Sequence, residues 1–279
     1  MPKNFEYVDS ENGKLLLNCL HKSITSFKNN EKTKAIVAYA FKDCKNLEKV
    51  VLDGNIQIDS FAFPEPSIKE LTIGNIDNLG NSFNVKNLKK ITILKNAQEV
   101  YPNIFFDVQK NIAPKLEEIV IEEDNEFLQD GLIEDFSNDG VWYQKNCATG
   151  FSTIIFYPPG KHGEIFKVPS FVKSVDGNTF HFNPFLKKII FPKDFNGRID
   201  KKAFDNCPNL ETIIFQDNTC IDEDAITNCP NLKYIVSNIK TPYMIEDIEV
   251  VPFSTYIFEN AHSFKDINNF YKNTQEEER

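Results

Sequence analysis

A short phrase of alternating apolar residues recurs along the chain and constrains its fold more than any other feature. In the copy Leu47-Glu48-Lys49-Val50-Val51-Leu52, an initial leucine precedes two further apolar residues one position apart. Eight copies begin at positions 47, 68, 88, 116, 151, 186, 210 and 232, which are 21, 20, 28, 35, 35, 24 and 22 residues apart. Most of these intervals match the 20–29 residues typical of leucine-rich repeats, and the two of 35 require insertions.

Each copy predicts a short β-strand with one buried side. Alternate residues of a strand point to opposite sides, so Val50 and Leu52 should face inward while Lys49 and Val51 face outward. No copy buries its apolar side alone, whereas stacked copies do. The sequence therefore predicts a curved leucine-rich-repeat solenoid, with a continuous parallel sheet on its concave side and short helical or turn segments on its convex side.

A second phrase precedes the strand phrase and explains two biases in composition. It pairs a phenylalanine with a nearby cysteine, as in Ala40-Phe41-Lys42-Asp43-Cys44, Ala203-Phe204-Asp205-Asn206-Cys207 and Ala225-Ile226-Thr227-Asn228-Cys229. A copy at Thr179–Leu186 places Phe182 near the cysteine position. The phenylalanines are expected to form an interior spine, which accounts for 25 Phe against one Trp. The six cysteines follow the repeat, so we expect buried free thiols, since cysteine behaves there as a small hydrophobe.

These phrases together resemble the BspA-like family of leucine-rich repeat proteins. The resemblance extends to an insert between repeats (Asp139–Tyr143, Ile155–Lys161 and Phe166–Pro169) and to a closing segment near Val251, Tyr256 and Phe264. It covers roughly residues 36 to 270 and implies an adhesin-like surface or secreted protein that binds another protein. Trp142 departs from the usual Leu of the family's insert.

The same pattern divides the chain into five segments. They are an N-terminal cap (1–35), repeats (36–125), an insert with one irregular repeat (126–168), repeats (169–240) and a C-terminal cap (241–279). The helical spacing of Leu16, Leu20, Ile24 and Phe27 predicts a helix in the first cap. Ser263 with Asp266, followed by Phe264, Ile267, Phe270 and Tyr271, predicts one in the last.

Charge and length exclude several partners. The net charge of −10 makes nucleic acid and anionic membrane surfaces poor partners, and the only basic runs in the sequence are isolated Lys-Lys pairs. No segment approaches the length of a membrane helix, so no membrane insertion is expected. The first residues lack a secretory signal, so the chain as written is expected in the cytoplasm, and at the surface or secreted if a leader was removed.

Two columns of outward strand positions are the candidate binding surface. The first is Lys49, Glu70, Lys90, Glu118, Thr153, Lys188, Thr212 and Tyr234. Its first four members alternate in sign, so each should lie one strand spacing from opposite charges, an arrangement that chiefly fixes register and solubility.

The second column becomes wholly apolar from Val120 onward. It consists of Val51, Thr72, Thr92, Val120, Ile155, Ile190, Ile214 and Val236. Strand propensity alone explains β-branched residues there. Two further interpretations stay open: a solvent-facing strip for a protein partner, or a strip that Trp142 and the inserted hairpin cover. The predicted partner-binding residues are Val120, Ile155, Tyr157, Ile190, Ile214, Tyr234, Val236 and Trp142.

The sequence predicts no catalytic residue, no cofactor and no metal. His21, His162, His181 and His262 lack a nucleophile elbow, a phosphate loop or an HExxH motif around them. Two acidic loops, 122–126 and 222–224, lack EF-hand spacing, and solvated charge explains them better than weak Ca²⁺ binding. A non-enzymatic protein-binding module is therefore predicted; an intracellular interaction scaffold is the alternative, and a hydrolase-type enzyme a remote one.

Overall fold

The fold consists of short strands that repeat along the chain and pair with the equivalent strands of neighbouring coils. The computed structural model describes residues 4–11, 13–65, 67–77, 82–97, 113–123, 133–215, 219–222, 224–237, 243–245 and 248–252. In chain order the strands are β1 (Phe5–Ser10), β2 (Gly13–Cys19), β3 (Ser26–Lys28), β4 (Thr33–Ile36), β5 (Lys49–Leu52), β6 (Ile56–Ile58), β7 (Glu70–Ile73), β8 (Ile76–Asp77), β9 (Lys90–Ile93), β10 (Glu118–Ile121), β11 (Ile133–Asn138), β12 (Val141–Asn146), β13 (Ser152–Phe156), β14 (Ile165–Lys167), β15 (Val172–Val175), β16 (Lys188–Ile190), β17 (Arg198–Ile199), β18 (Phe204–Asp205), β19 (Thr212–Ile214), β20 (Cys220–Ile221), β21 (Ile226–Thr227), β22 (Tyr234–Ser237), β23 (Tyr243–Ile245) and β24 (Ile248–Pro252).

The repeat phrases form parallel sheets, as predicted, but two sheets rather than one. The first repeat sheet has the order β3-β5-β7-β9-β10, and the second has the order β14-β16-β19-β22-β24-β23. Within each, equivalent positions of successive coils are direct neighbours: Val50 pairs with Leu71, which pairs with Ile91. The identical spacing of the phrases thus fixes the register of the sheets.

Opposite the repeat sheets lie further sheets, where helical or turn segments were expected. The strands β1-β2-β4-β6-β8 form one lateral sheet and β11-β12-β13-β15-β17-β20 another, while β18 and β21 pair separately. No helix occurs within the ranges that the structure describes. The prediction of helical segments is therefore wrong for the described residues, where strands of two to seven residues lie instead.

An antiparallel hairpin replaces the predicted N-terminal helix. β1 pairs with β2 from Phe5↔Cys19 to Ser10↔Gly13. Leu16 is buried in β2 and Phe27 in β3, but Leu20 is 51% exposed. Spacings of four fit both a helical face and one side of a strand, so the spacing did not discriminate between them. The predicted C-terminal helix at 263–271 lies outside the described residues.

The predicted phenylalanine spine is confirmed. Phe41 stacks on Phe63 with ring centroids 4.3 Å apart, and Phe63 on Phe83 at 4.7 Å. In the later coils Phe180 stacks on Phe204 at 5.2 Å. Beside the spine, Cys44 and Cys207 are buried free thiols, as expected, whereas Cys147 and Cys220 are exposed, so the expectation of burial is wrong for those two. The cysteine position of the Thr179–Leu186 copy holds buried Asn183 rather than Phe182.

Two hydrophobic cores meet at the β11–β12 hairpin. Trp142 and Phe156 belong to the core of the earlier coils, whereas Val141 and Tyr143 belong to the core of the later ones. Side chains of successive β12 residues therefore pack into different cores, because side chains alternate between the two faces of a strand. The hairpin turn lies against β10, where Ile119 N–H donates to Gly140 O at 3.0 Å.

Candidate functional site

The outward side of the first repeat sheet carries the predicted ladder of alternating charge. Lys49, Glu70, Lys90 and Glu118 are direct neighbours in successive strands. Lys49 Nζ lies 2.9 Å from Glu70 Oε2, and Lys90 Nζ lies 2.9 Å from Glu118 Oε2. This part of the first column is confirmed: one of its ion pairs joins β5 to β7 and the other joins β9 to β10.

A second ladder of charge runs beside the first, one residue earlier in each strand phrase. Lys69 pairs with Glu48 at 2.6 Å, and Lys89 pairs with Glu117 at 2.9 Å. The side chains of these pairs are 39% to 53% exposed. Exposed ion pairs each contribute about 0–1 kcal/mol, so a partner's charges can replace them at little cost.

The early part of the second column lies in the same four strands, two residues after the first column. Val51, Thr72, Thr92 and Val120 are neighbours in register and half-buried. Together with the two ladders they form the face that we call the open face: residues 48, 49, 51, 69, 70, 72, 89, 90, 92, 117, 118 and 120. It is a mixed-charge surface with a stripe of β-branched side chains.

The prediction that 151–156 forms a repeat strand is wrong, and it misplaced Ile155 and Thr153. These residues lie in β13, which pairs antiparallel with β12 and parallel with β15 in the lateral sheet. The connection from β12 spans only residues 147–151, which suits an antiparallel hairpin and is too short for a parallel crossover. The repeat strand of this coil is β14, where Lys167, not Ile155, is the neighbour of Ile190.

The later part of the apolar strip is largely buried, which favours the interpretation of a covered strip over that of a solvent-facing one. Ile214 and Val236 are fully buried, and half-buried Ile190 and Tyr234 pack against them. They are neighbours on β16, β19 and β22, on the side of the sheet away from the core. Outward side chains of a sheet reach such burial only when other groups lie over them, so this part of the strip is covered.

Trp142 and Tyr157 are also buried, so neither offers a surface to a partner. Trp142 is 1% exposed and donates its indole N–H to Asp135 Oδ1 at 2.7 Å. Tyr157 is 2% exposed and packs on Phe166 and Phe180, and burial raises its pKa. Because Trp142 belongs to the core of the earlier coils, it does not lie over the Ile214–Val236 patch as one interpretation supposed.

The structure also brings together lysines that the sequence analysis passed over. Lys14, Lys28, Lys32 and Lys34 border one cleft of about 670 Å³, together with Asn55 and other residues of the first two coils. These lysines are not consecutive in the sequence, so they do not form a basic run. The alternation Lys32-Thr33-Lys34, four residues after Lys28, was the available signal, because residues i and i+2 of a strand share a face.

One histidine is held beside a carboxylate, an arrangement that deserves a chemical test. His181 Nδ1 lies 3.1 Å from Asp205 Oδ2. Burial lowers the pKa of His181. Although burial opposes it, hydrogen bonds from Thr227 and Asn228 hold the pKa of Asp205 below its ordinary value. In such a pair Asp205 could orient His181 as a general base. Catalysis would then require a nucleophile from which His181 could accept a proton.

The nearby cysteine is not an activated nucleophile. Cys207 Sγ donates to Phe180 O at 2.6 Å. The hydrogen bond with Cys229, together with burial, raises the pKa of Cys207 well above its ordinary value. A thiol held protonated does not supply the thiolate that cysteine chemistry uses. In the described ranges, no three His, Cys, Asp or Glu side chains are grouped to hold a metal ion.

Comparison with known families gives one extensive match. Residues 18–138 and 161–265 match the family described as BspA type leucine-rich repeat region, in six copies. No curated protein matches the chain. Within its described part, the chain contains no helix long and apolar enough to cross a membrane.

Several solved structures are similar over most of the chain at low identity. The pneumococcal vaccine antigen PcpA aligns at 19% identity with a TM-score of 0.43, over 77% of this chain and 51% of its own. A leucine-rich cell surface protein from Faecalibacterium prausnitzii aligns at 14% identity and 0.39, over 96% of both chains. A leucine-rich repeat protein from Eubacterium ventriosum aligns at 18% and 0.44, over 84% and 76%. The chain thus spans about half the length of the PcpA structure.

Proposed function

Because the chain belongs to the family of BspA-type leucine-rich repeat proteins, we propose that it is a non-enzymatic module that binds another protein. The observation that carries the proposal is the open face of the first repeat sheet. Its charged side chains stay partly exposed, with values from 39% to 55%, while the apolar patch of the second repeat sheet is covered.

The open face suits a protein partner better than a small molecule. Four strands present two rows of charged side chains, the first of which alternates in sign, with Thr72 and Thr92 beside them, and together these side chains give a broad surface. Such a surface favours a partner whose own charges match the alternation, since charge complementarity confers specificity and fast association. Of the predicted partner-binding residues, Val120 is the one that lies on this face.

The module's place in the cell follows from the same proposal. An adhesin-like role at the surface or after secretion is the principal candidate, as the family resemblance implies. An intracellular interaction scaffold is the second candidate, favoured by six cysteines that are all free thiols, four of which are wholly or partly buried. A hydrolase role is the remote alternative: the hydrogen bond between Cys207 and Cys229 raises the pKa of the Cys207 thiol and lowers the pKa of the Cys229 thiol.

A double variant of the open face and a single control variant of the lateral sheet test the binding face. Thr72→Arg with Thr92→Arg places two bulky cations in the middle of the open face, whereas Gln57→Arg places one on an exposed position of the lateral sheet. Proteins captured by the immobilised wild type from host-cell surface extracts and from cytosol should be lost with the double variant and retained with Gln57→Arg. Unchanged capture by a folded Thr72→Arg/Thr92→Arg protein would reject the open face as the site.

A further inference from the structure

The cleft bordered by four lysines has a charge opposite to that of the chain. Lys14, Lys28, Lys32 and Lys34 face Glu31 and Asp53 across it, a balance of four positive against two negative groups, in a protein of net charge −10. The lysines come from the ends of β2, β3 and β4. A cleft with this sign attracts anions locally although the whole protein repels them.

Three of these lysines have their charges available for a ligand. In the ranges that the structure describes, no carboxylate lies within 4.0 Å of the ammonium groups of Lys28, Lys32 or Lys34, and all three residues are exposed. Lys14 is engaged with Asp9, whose Oδ1 lies 3.0 Å from Lys14 Nζ. Asp9 is 85% exposed, so that ion pair is weak and an anion can compete for Lys14.

The backbone beneath the lysines is fixed by close contacts. Gly13 has a φ of +139°, and a Cβ there would lie 2.5 Å from Lys34 Cγ and 2.9 Å from Lys32 O. Only glycine therefore lets the stem of Lys34 lie against β2. The adjacent Lys14 N–H donates to Lys32 O at 2.8 Å, which holds these lysines side by side.

A buried asparagine joins the two loops that floor the cleft. Asn29 Nδ2 donates to Asp53 O at 2.9 Å, and Asp53 N–H donates to Asn29 Oδ1 at 2.8 Å. Asp53 Oδ1 also accepts from Asn96 Nδ2 at 3.2 Å, which fixes the orientation of this carboxylate. Thr33, between two of the lysines, is 2% exposed, and its Oγ1 has no hydrogen-bond partner. The floor is therefore ordered and keeps an unused hydroxyl.

We propose that this cleft binds a small ligand that carries phosphate or sulfate ester groups. Lysine ammonium groups are compact donors that suit tetrahedral oxyanions. A cleft of about 670 Å³ is far larger than one such group and falls within the range of sites for sugar- or nucleotide-sized molecules. The site adjoins the open face without sharing residues with it: no open-face residue borders the cleft, and Lys28 is the strand neighbour of Val51.

Calorimetric titration of the full chain with pyrophosphate and with a trisulfated heparin disaccharide tests the proposal at low ionic strength. We expect binding of at least one probe, weakened as salt is added. Lys28→Gln with Lys34→Gln should weaken binding about tenfold or more, since it removes charge-assisted hydrogen bonds. Glu31→Gln should tighten binding, because it removes an exposed repelling carboxylate.

A control with the same change in charge separates the cleft from the overall field. Lys42→Gln with Lys86→Gln removes two exposed lysines that do not border the cleft, and it should leave the dissociation constant within about twofold. Binding of pyrophosphate alone or of the disaccharide alone supports the proposal and shows whether the cleft prefers phosphate or sulfate groups. Binding of neither probe, or equal weakening by both double variants with unchanged unfolding curves, overturns it.

Discussion

Trp142 and Asp135 are joined by a buried hydrogen bond across the β11–β12 hairpin, with 2.7 Å between Nε1 and Oδ1. The two residues are 1% and 7% exposed. Burial raises the pKa of Asp135 above its ordinary 3.8, and the hydrogen bonds from Trp142 and Gln144 offset this only in part. The ionised Asp135 carboxylate therefore lowers the free energy of unfolding at neutral pH. Its oxygen is still needed to accept the hydrogen bond from Trp142.

The substitution Asp135→Asn should stabilise the protein at pH 7. The amide oxygen can still accept from Trp142, while the buried charge is gone. Since the folded-state pKa lies above the unfolded-state value of 3.8, the wild type gains stability as pH falls through the folded pKa, so the advantage of the variant should shrink towards pH 3. Thermal unfolding between pH 3 and 7 measures both effects.

The control for this prediction is the neighbouring exposed carboxylate. Glu134 forms an ion pair with Lys145 at 3.2 Å with both side chains more than 40% exposed, so Glu134→Gln should change the melting temperature little at any pH. A lower melting temperature for Asp135→Asn at pH 7 would show that the hydrogen bond requires the charge.

Truncating a phenylalanine of the spine should have a large effect on stability, whereas truncating an exposed phenylalanine should have a small one. Phe204 is fully buried and stacks on Phe180, so Phe204→Ala should lower the free energy of unfolding by about 3–5 kcal/mol. Phe182 is 41% exposed, so Phe182→Ala should cost much less. Urea unfolding compares the two, and equal losses would contradict a spine restricted to the interior.

The repeat strands could be predicted because one local pattern determines both their inward residues and their register. Once Val50, Leu71 and Ile91 are recognised as equivalent, the neighbouring Lys49, Glu70 and Lys90 must lie side by side. The charge ladder therefore followed directly from the spacing. The same reasoning placed the phenylalanines at the interior.

One prediction from the sequence was wrong because the same residue pattern is compatible with two different structures. The alternation in Ser152–Phe156 fits a repeat strand and a hairpin strand equally well, and the short connection to β12 decided between them. The covered state of Ile214 and the lysine cleft depend on which groups from other segments lie nearby. Such tertiary relationships are not contained in a local period.

Thiol reactivity should separate the cysteines into two classes. Cys147 and Cys220 are exposed, whereas Cys19, Cys44 and Cys207 are buried, and burial raises the pKa of Cys44 to about 12. An aromatic disulfide reagent should therefore modify Cys147 and Cys220 quickly in the native protein, and the buried thiols only on unfolding. Mass spectrometry of the labelled peptides identifies the sites. Fast native labelling of Cys207 would mean that the coils around β18 open readily.

An aspartate introduced in the later part of the second column should lower stability more than an aspartate introduced in its early part. Ile190 packs on the buried pair Ile214 and Val236, so Ile190→Asp places a carboxylate in a covered apolar patch and should destabilise the protein by about 1–3 kcal/mol or more. Thr72 is half-buried on the open face with Lys49 and Lys90 diagonally across, so Thr72→Asp should change stability by less than about 0.5 kcal/mol.

Urea unfolding of both variants beside the wild type measures this contrast, with Ile190→Val as the control for a change that keeps the patch apolar. Ile190→Val should cost about 0.5–1.5 kcal/mol, below the cost of the carboxylate. If Ile190→Asp proved as harmless as Thr72→Asp, the strip on β16, β19 and β22 would be accessible in solution, and the binding surface would then extend from the first repeat sheet onto the second.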